Sequence, residues 1–249
     1  MIPERSLIRD SHMYAARVTK LQPDEPDMLI SLKGQGDMSI GSAEGQQNRA
    51  GLFSRISVDE KRVYALQQTH SRDVFDSANI PRNGKEGDGL VATDPDHVLT
   101  VTVADCMPVF LFDVRKRVFA LVHSGWKGTG IAAEAVGHMC KRHNCHPDNI
   151  TAILGPSIRS CCYRVDRERA EYFSRIWGED AVRWEYNGGE GRVPYLDLLT
   201  ANRRVLEEAG VRAISCIEEC TACSSDLGSY RREGPHRFTR MLAMIGFFE

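Results

Sequence analysis

His70 in QQTHS, Cys106 in VADCMPV and His123 in LVHSGWKGTG are three side chains able to share one metal ion. Two imidazoles and one thiolate suit zinc, and three protein ligands leave a fourth position for water or substrate. A closed set of four ligands points to architecture; an open set of three points to chemistry. Zinc with an open position lowers the pKa of its bound water toward neutrality and makes hydroxide available at physiological pH. A metal-free reading uses the same residues, with Cys106 as nucleophile and His123 as base. Taken singly, a His after a strand or a small buried Cys is more often packing than chemistry.

The surrounding elements must bring these residues together. HVLTVTVA (97–104) reads as a strand leading into Cys106. PVFLFD (108–113), the polar turn VRKR (114–117) and VFALVH (118–123) read as a hairpin. That hairpin returns His123 to the neighbourhood of Cys106. His70 likewise follows a short apolar run, VYAL (63–66). A helix is expected from near Gln46 through NRAGLFSRI, and another over 130–143, GIAAEAVGHMCKRH. DRERAEYFSRIWG (166–178) and LDLLTANRRVLEEAG (196–210) read as amphipathic helices, each closed by glycine. TAILG, RAISCIEE and RMLAMIGFF read as strands. Hairpins interrupted by helices predict one α+β or mixed α/β domain over residues 1–249. The Gly- and Ser-rich loop 31–47 is too short to divide two cored units.

Composition narrows the function classes. The chain has 249 residues, 42% apolar and 27% charged, as in ordinary globular proteins. A net charge of −2 supplies no general attraction to nucleic acid or anionic membranes, so neither is expected as a partner. No stretch is long and apolar enough for a bilayer span. The start, MIPERSLIRDSHMYAARV, is polar and of mixed charge, unlike a secretory signal. A cytoplasmic location is therefore expected, with the eight cysteines as thiols or ligands rather than disulfides. Cys220 and Cys223 form a C-x2-C pair in ECTACSS. The adjacent Cys161 and Cys162 lack finger-like spacing, which weighs against a structural zinc knuckle. His138, Cys140, His143, Cys145 and His146 read as ordinary surface residues, and Trp126 as packing beneath the His123 turn.

GDGLVAT (87–93), VTVADCMPV (101–109), ALVHSGWKGT (120–129), LGPSIRSCCYRV (154–165), LDLLTANRRVLEEAGV (196–211) and SYRREG (229–234) occur in this order. Together they resemble the YfiH-type family, also called the laccase-domain or multicopper polyphenol oxidase family. The likeness runs from about residue 46 to the end. It implies a mixed-sheet sandwich flanked by helices, shared with bacterial toxins that use a Cys-His pair. It also implies that His70, Cys106 and His123 bind zinc. The activity it implies is phosphorolysis of adenosine, inosine or methylthioadenosine, with deamination of adenosine. Purine nucleosides and phosphate are then the expected partners.

These activities make separate demands. Attack of hydroxide on C6 of adenine needs a proton shuttle beside the metal. Asp105 and Asp88 are the candidates; neighbouring strand residues face opposite ways, so Asp88 is preferred if Cys106 points inward. With Cys106 and His123 it completes the expected catalytic set. Phosphorolysis needs an anion site, for which Arg49, Lys127, Arg231 and Arg232 are candidates, each in or beside a matched motif. The amides of SGWKGTG at the start of the next helix could add to it. Two alternatives stay open: a copper-dependent polyphenol oxidase and the metal-free Cys-His hydrolase. Multicopper oxidation needs many imidazoles, whereas the chain has eight His and no His-x-His pair. Incidental copper binding by His and thiolate is compatible with metal affinities. A non-catalytic metal-binding module is a weaker option.

Overall fold

The hairpin expected around Cys106 and His123 is closed by Asp113. Its Oδ1 accepts from the backbone N–H of Arg115 (3.0 Å) and Lys116 (3.2 Å). Arg117 completes the turn with a left-handed φ of 54°. The turn joins β8 (Met107–Asp113) to β9 (Val118–Ser124), antiparallel, with Pro108 opposite His123. The computed structural model describes residues 5–12, 14–186 and 188–248.

Two six-stranded sheets surround this hairpin. The first runs β1 (Leu7–Asp10), β2 (Ala15–Val18), β3 (Asp27–Ser31), β14 (Met241–Gly246), β7 (Val98–Val103), β4 (Val63–Ala65). The second runs β13 (Ala213–Cys216), β10 (Thr151–Leu154), β8, β9, β6 (Gly89–Ala92), β5 (Val74–Asp76). The pairs β4–β7, β5–β6 and β10–β13 are parallel and the other pairings in these sheets antiparallel, so both sheets are mixed. A separate small hairpin joins β11 (Val182–Tyr186) to β12 (Arg192–Leu196).

Period-two alternation assigns each face. In β9, Phe119 and Leu121 enter the layer between the sheets, while Val118, Ala120 and Val122 face the helices. In β8, Phe110 and Phe112 point between the sheets, and Val109 and Leu111 the other way. Met241, Ala243 and Ile245 of β14 close the inter-sheet layer from the opposite side. Each fully buried Phe or Leu there contributes roughly 1.5–3 kcal/mol. Outside the first sheet lies α1 (Ala43–Arg55), whose Leu52 and Phe53 pack on Leu242 and Met244. Outside the second lie α2 (Ile131–His143), α3 (Arg167–Trp177) and α4 (Leu198–Glu208). The result is the α+β sandwich flanked by helices that the motifs imply. A one-turn helix, α5 (Tyr230–Glu233), precedes β14.

The starts of α1 and α4 differ from the sequence expectation, both because of caps. Ser42 Oγ accepts from Gly45 N (3.0 Å), so α1 begins before Gln46. Asp197 accepts from Leu199 N and Thr200 N, so Leu196 ends β12 rather than opening α4. No described helix is long and apolar enough to cross a membrane.

Candidate active site

His123 shares the face of Phe119 and Leu121 in β9, so its ring turns toward the facing sheet at the end of the sandwich. Its Nδ1 lies 2.8 Å from Asp88 Oδ1, and both side chains are buried. Asp88 Oδ2 accepts from Ser71 N (2.6 Å), Ser71 Oγ (2.9 Å) and Thr69 N (3.1 Å). One carboxylate thus fixes the His123 ring and the turn that carries His70. His70 holds a left-handed φ of 59°, and its ring meets that of His123 edge to face at 5.0 Å.

Strand β7 ends at Val103, and Asp105 takes a φ of 84°. Alternation no longer applies there, so Asp105 and Cys106 both face the same cavity. The ligand atoms of His70, Cys106 and His123 all lie within 4.8 Å of one another. Gly125 permits this approach: a Cβ there would stand 2.8 Å from Cys106 Sγ and 3.3 Å from the His70 ring.

The trio fits a metal ion on donor chemistry. Asp88 occupies Nδ1 of His123 and leaves Nε2 for the Cys106 side, the carboxylate–histidine arrangement that orients imidazole ligands. Burial alone would push the Cys106 thiol up. The charge of His123 and hydrogen bonds from His123 and His70 outweigh it and hold the thiol at about 6. Burial likewise disfavours a charged His123, but the Cys106 thiolate and Asp88 raise it to about 9. For Asp88, burial opposes ionisation, and His123 and Ser71 reverse this to give about 2.

The trio opens into a cavity of about 630 Å³. Lys127, Arg169, Arg231 and Arg240 bring positive charge to its lining, and Trp126, Tyr163, Tyr230 and Phe238 bring aromatic surface. Cations and rings are interleaved: Arg169 lies 4.6 Å from the Trp126 ring, Arg231 5.5 Å from Tyr163 and Arg240 4.3 Å from Phe238. Burial and the nearby Cys106 charge push the Tyr163 hydroxyl up, so it stays a donor. Asp105 is tied down, accepting from Thr221 Oγ1 and Arg231 N, each at 2.6 Å.

Of the residues singled out from sequence, His70, Cys106, His123, Lys127 and Arg231 line this cavity, and Asp88, Arg49 and Arg232 do not. Asp88, expected as the proton shuttle, is fully buried outside the cavity lining, with one oxygen on His123 Nδ1 and the other on Ser71. Arg49 is buried on α1, stacked on Phe53. Arg232 spends its guanidinium on the carbonyls of Thr221, Ser224 and Leu227. The start of α2 is covered by Arg72 and Trp177, both close to Gly130, rather than open to the cavity. Trp126 packs against the helix-side core and also lines the cavity.

The missed residues left uneven signals. Tyr163 and Tyr230 stand inside the matched segments LGPSIRSCCYRV and SYRREG, whereas Arg169 resembles any helix-surface arginine. Two further groups converge elsewhere. Asp76 meets His143 at 2.6 Å and His138 at 3.1 Å, so those two histidines share a carboxylate rather than standing free. Cys161, Cys162, Cys220 and Cys223 come together as well, against the expectation for the C-x2-C pair.

Comparison with known proteins gives the family and the fold. A family described as multi-copper polyphenol oxidoreductase laccase matches residues 38–247. The chain is 35% identical over 223 residues to a purine nucleoside phosphorylase of Clostridium acetobutylicum, covering 86% of this chain and 89% of that one. It is 31% identical over 214 residues to the purine nucleoside phosphorylase YlmD of Geobacillus stearothermophilus, covering 80% and 77%. The crystal structure of YlmD from Geobacillus stearothermophilus superposes with a TM-score of 0.83 at 25% identity, covering 98% of this chain and 99% of that one. The crystal structure of Bacillus licheniformis YfiH gives 0.79 at 25% identity, covering 92% and 98%.

Proposed function

The chain belongs to the multi-copper polyphenol oxidoreductase laccase family, and from that membership we propose that it is a zinc-dependent purine nucleoside phosphorylase. The observation that carries this reading is one cavity holding the His70–Cys106–His123 trio, four cations and four aromatic rings. Relatives named as purine nucleoside phosphorylases support it. Adenosine, inosine and methylthioadenosine are the substrates proposed, with phosphate as co-substrate and residues 1–249 as one functional domain.

In this reading His70, Cys106 and His123 would hold the zinc, which would supply Lewis acidity beside the substrate. The chain's own residues do the rest. Trp126, Tyr163, Tyr230 and Phe238 offer faces on which a purine can stack. Lys127, Arg169 and Arg231 draw phosphate beside the sugar; Arg can grip it through two parallel N–H donors. Phosphate oxygen bonds to the anomeric carbon as the carbon–nitrogen bond breaks, and the electron pair leaves with the base, which takes up a proton. Arg240 is already paired with Asp37 at 3.2 Å and serves as a weaker anion contact.

Adenosine deamination is proposed as a second activity of the same cavity. It consumes water and releases ammonia, and the carboxylate within the cavity is Asp105 rather than Asp88. A copper polyphenol oxidase is less well supported, because His70 and His123 are the two histidines lining the cavity among the described residues. Several coppers need more imidazoles than that. One observation favours the metal-free Cys-His hydrolase: Cys106, His123 and Asp88 are linked in the order nucleophile, base, orienting acid.

Product analysis separates these readings. Purine release from inosine or adenosine is expected to require phosphate and to yield ribose 1-phosphate. Free ribose as the only sugar product, at a rate indifferent to phosphate, would defeat the phosphorylase assignment. Phenol oxidation without nucleoside turnover would favour copper chemistry.

A further inference from the structure

The loops that follow β10 and β13 carry a second ligand set. These parallel strands end side by side, with Leu154 opposite Cys216. Beyond them the two chains stay side by side with the pairing shifted by one residue: Ser157 bridges to Cys220, and Thr221 N donates to Ser157 O at 3.1 Å. This places the vicinal pair Cys161–Cys162 against the C-x2-C pair Cys220–Cys223. Cys223 Sγ lies 3.4 Å from Cys162 Sγ and 3.7 Å from Cys161 Sγ, and all four sulfurs fall within 4.8 Å of one another.

We propose that Cys161, Cys162, Cys220 and Cys223 form a closed four-thiolate zinc site, separate from the His70–Cys106–His123 centre. Four sulfurs around one zinc, each bonded at about 2.3 Å, stand about 3.8 Å apart along the edges of the tetrahedron. The two spacings from Cys223, 3.4 and 3.7 Å, lie close to that edge, and the remaining pairs fall within 4.8 Å. A cluster of several irons spreads its thiolates over a whole cube and needs wider spacing. Disulfides require only pairs, and nothing in pairing alone draws four sulfurs to one point.

The local backbone suits a metal knuckle. N–H groups of Arg159, Ala222 and Cys223 point at Cys220 sulfur. Cys223 N and Ser224 N also turn back onto Cys220 O, at 3.1 and 3.0 Å. Four thiolates and one divalent ion leave a net charge of −2. Basic groups stand close by: Arg231 Nη1 donates to Cys162 O at 3.2 Å, and Arg183 Nη2 to Ser160 O at 2.7 Å. Binding the ion releases the thiol protons to solvent.

The site would staple one wall of the cavity. Tyr163 and Ile158 line that cavity from the first loop. Thr221, between the paired cysteines of the second loop, donates to Asp105, which also accepts from Arg231 N. A fixed knuckle therefore holds the segment beside Cys106 without touching the trio. This proposal stands apart from the nucleoside reading, because metal content is measured without turnover.

The test is zinc analysis of the full chain, prepared with reductant and without added chelator. Wild type is expected to hold about two zinc ions, with an average of about 2.5 sulfurs per zinc by X-ray absorption, given one S4 and one SN2 set. Cys106→Ala is expected to keep one zinc with four sulfurs, and Cys220→Ser/Cys223→Ser to lose that ion and keep the other. A wild-type protein with one zinc and about one sulfur per zinc would overturn the proposal even if the variants fail to fold. So would a zinc-free Cys106→Ala protein that remains folded. Two disulfides among the four cysteines, found by alkylation and mass mapping of that preparation, would overturn it equally.

Discussion

The two candidate ligand sets of this chain differ in donors, surroundings and support. His70, Cys106 and His123 mix nitrogen with sulfur and face a cavity of about 630 Å³. Cys161, Cys162, Cys220 and Cys223 offer sulfur alone, and none of them lines that cavity. The trio is braced by a buried carboxylate, Asp88, which fixes one imidazole and the turn of the other. The cysteine set is braced by a tight turn in which Cys223 N and Ser224 N donate to Cys220 O. Three ligands with room beside them are suited to chemistry, and four without it to holding two loops together. The same element would serve different ends according to what the fold leaves open around it.

The largest expected effect sets the two regions against each other. Cys106→Ala is expected to lower nucleoside turnover by about 10³-fold or more, the scale of losing a principal catalytic group, with little change in melting temperature. Cys223→Ser is expected to do the reverse. It should lower the melting temperature by about 10 °C, as loss of a structural metal would in a chain of this size, and turnover only a few-fold. Equal losses of activity in both variants would erase the distinction.

A smaller effect concerns Asp88. Asp88→Asn is expected to weaken metal binding by the trio about 10- to 100-fold, the usual cost of losing a carboxylate behind a ligating histidine. Its electrostatic counterpart is measurable on metal-stripped protein. The Cys106 thiol, held at about 6 by His123 and His70, ionises as pH rises through that value. Its alkylation by iodoacetamide should therefore climb through pH about 6 and level off above, where a free thiol would still be climbing near about 8.5. Asp88→Asn removes the charge that keeps His123 protonated, so the midpoint should move up. Peptide mapping of the alkylated cysteine checks this, and an unmoved midpoint would remove Asp88 from the network.

The smallest effect tests the cavity wall between the two regions. Arg231→Ala is expected to raise the phosphate requirement about tenfold, the range of one charge-assisted contact, and the nucleoside requirement less. Arg231→Lys should rescue only in part, since it keeps the charge and loses the planar fork. Adenosine deamination, which uses water, should change least. Kinetics at varied phosphate decide the matter, and an unchanged phosphate KM would move the anion site toward Lys127 and Arg169.

Much of the scaffold around the trio is local and was legible from the order of residues. The β8–β9 hairpin needs only two apolar runs and the VRKR turn, and it places His123 opposite Pro108, beside Cys106. The helix α2 follows from its apolar spacing, and α3 and α4 from theirs together with a closing glycine. The motif order was enough to indicate the family and the sandwich. Strand periodicity gave the wrong guide at Asp105, because a left-handed residue after β7 breaks the alternation. Charge beside a motif was likewise not enough for Arg49 and Arg232, whose guanidinium groups turn away from the cavity.

The order of residues was enough for β4, β7, the β8–β9 hairpin, β10, β13, β14 and the four longer helices, and through the hairpin for the nearness of Cys106 to His123, since each depends on residues close along the chain. Tertiary structure alone decided which cations and rings share the cavity and which cysteines meet. Arg169, Tyr230 and Arg240 come from three separate segments, joined only where the sandwich ends. Cys161 and Cys223 stand 62 residues apart in the chain and 3.7 Å apart in space. The intervening chain, with α3, β11, β12 and α4, returns β13 alongside β10 in parallel. Parallel neighbours require such a crossover, and its closure is set by packing across the whole sheet rather than by any local spacing.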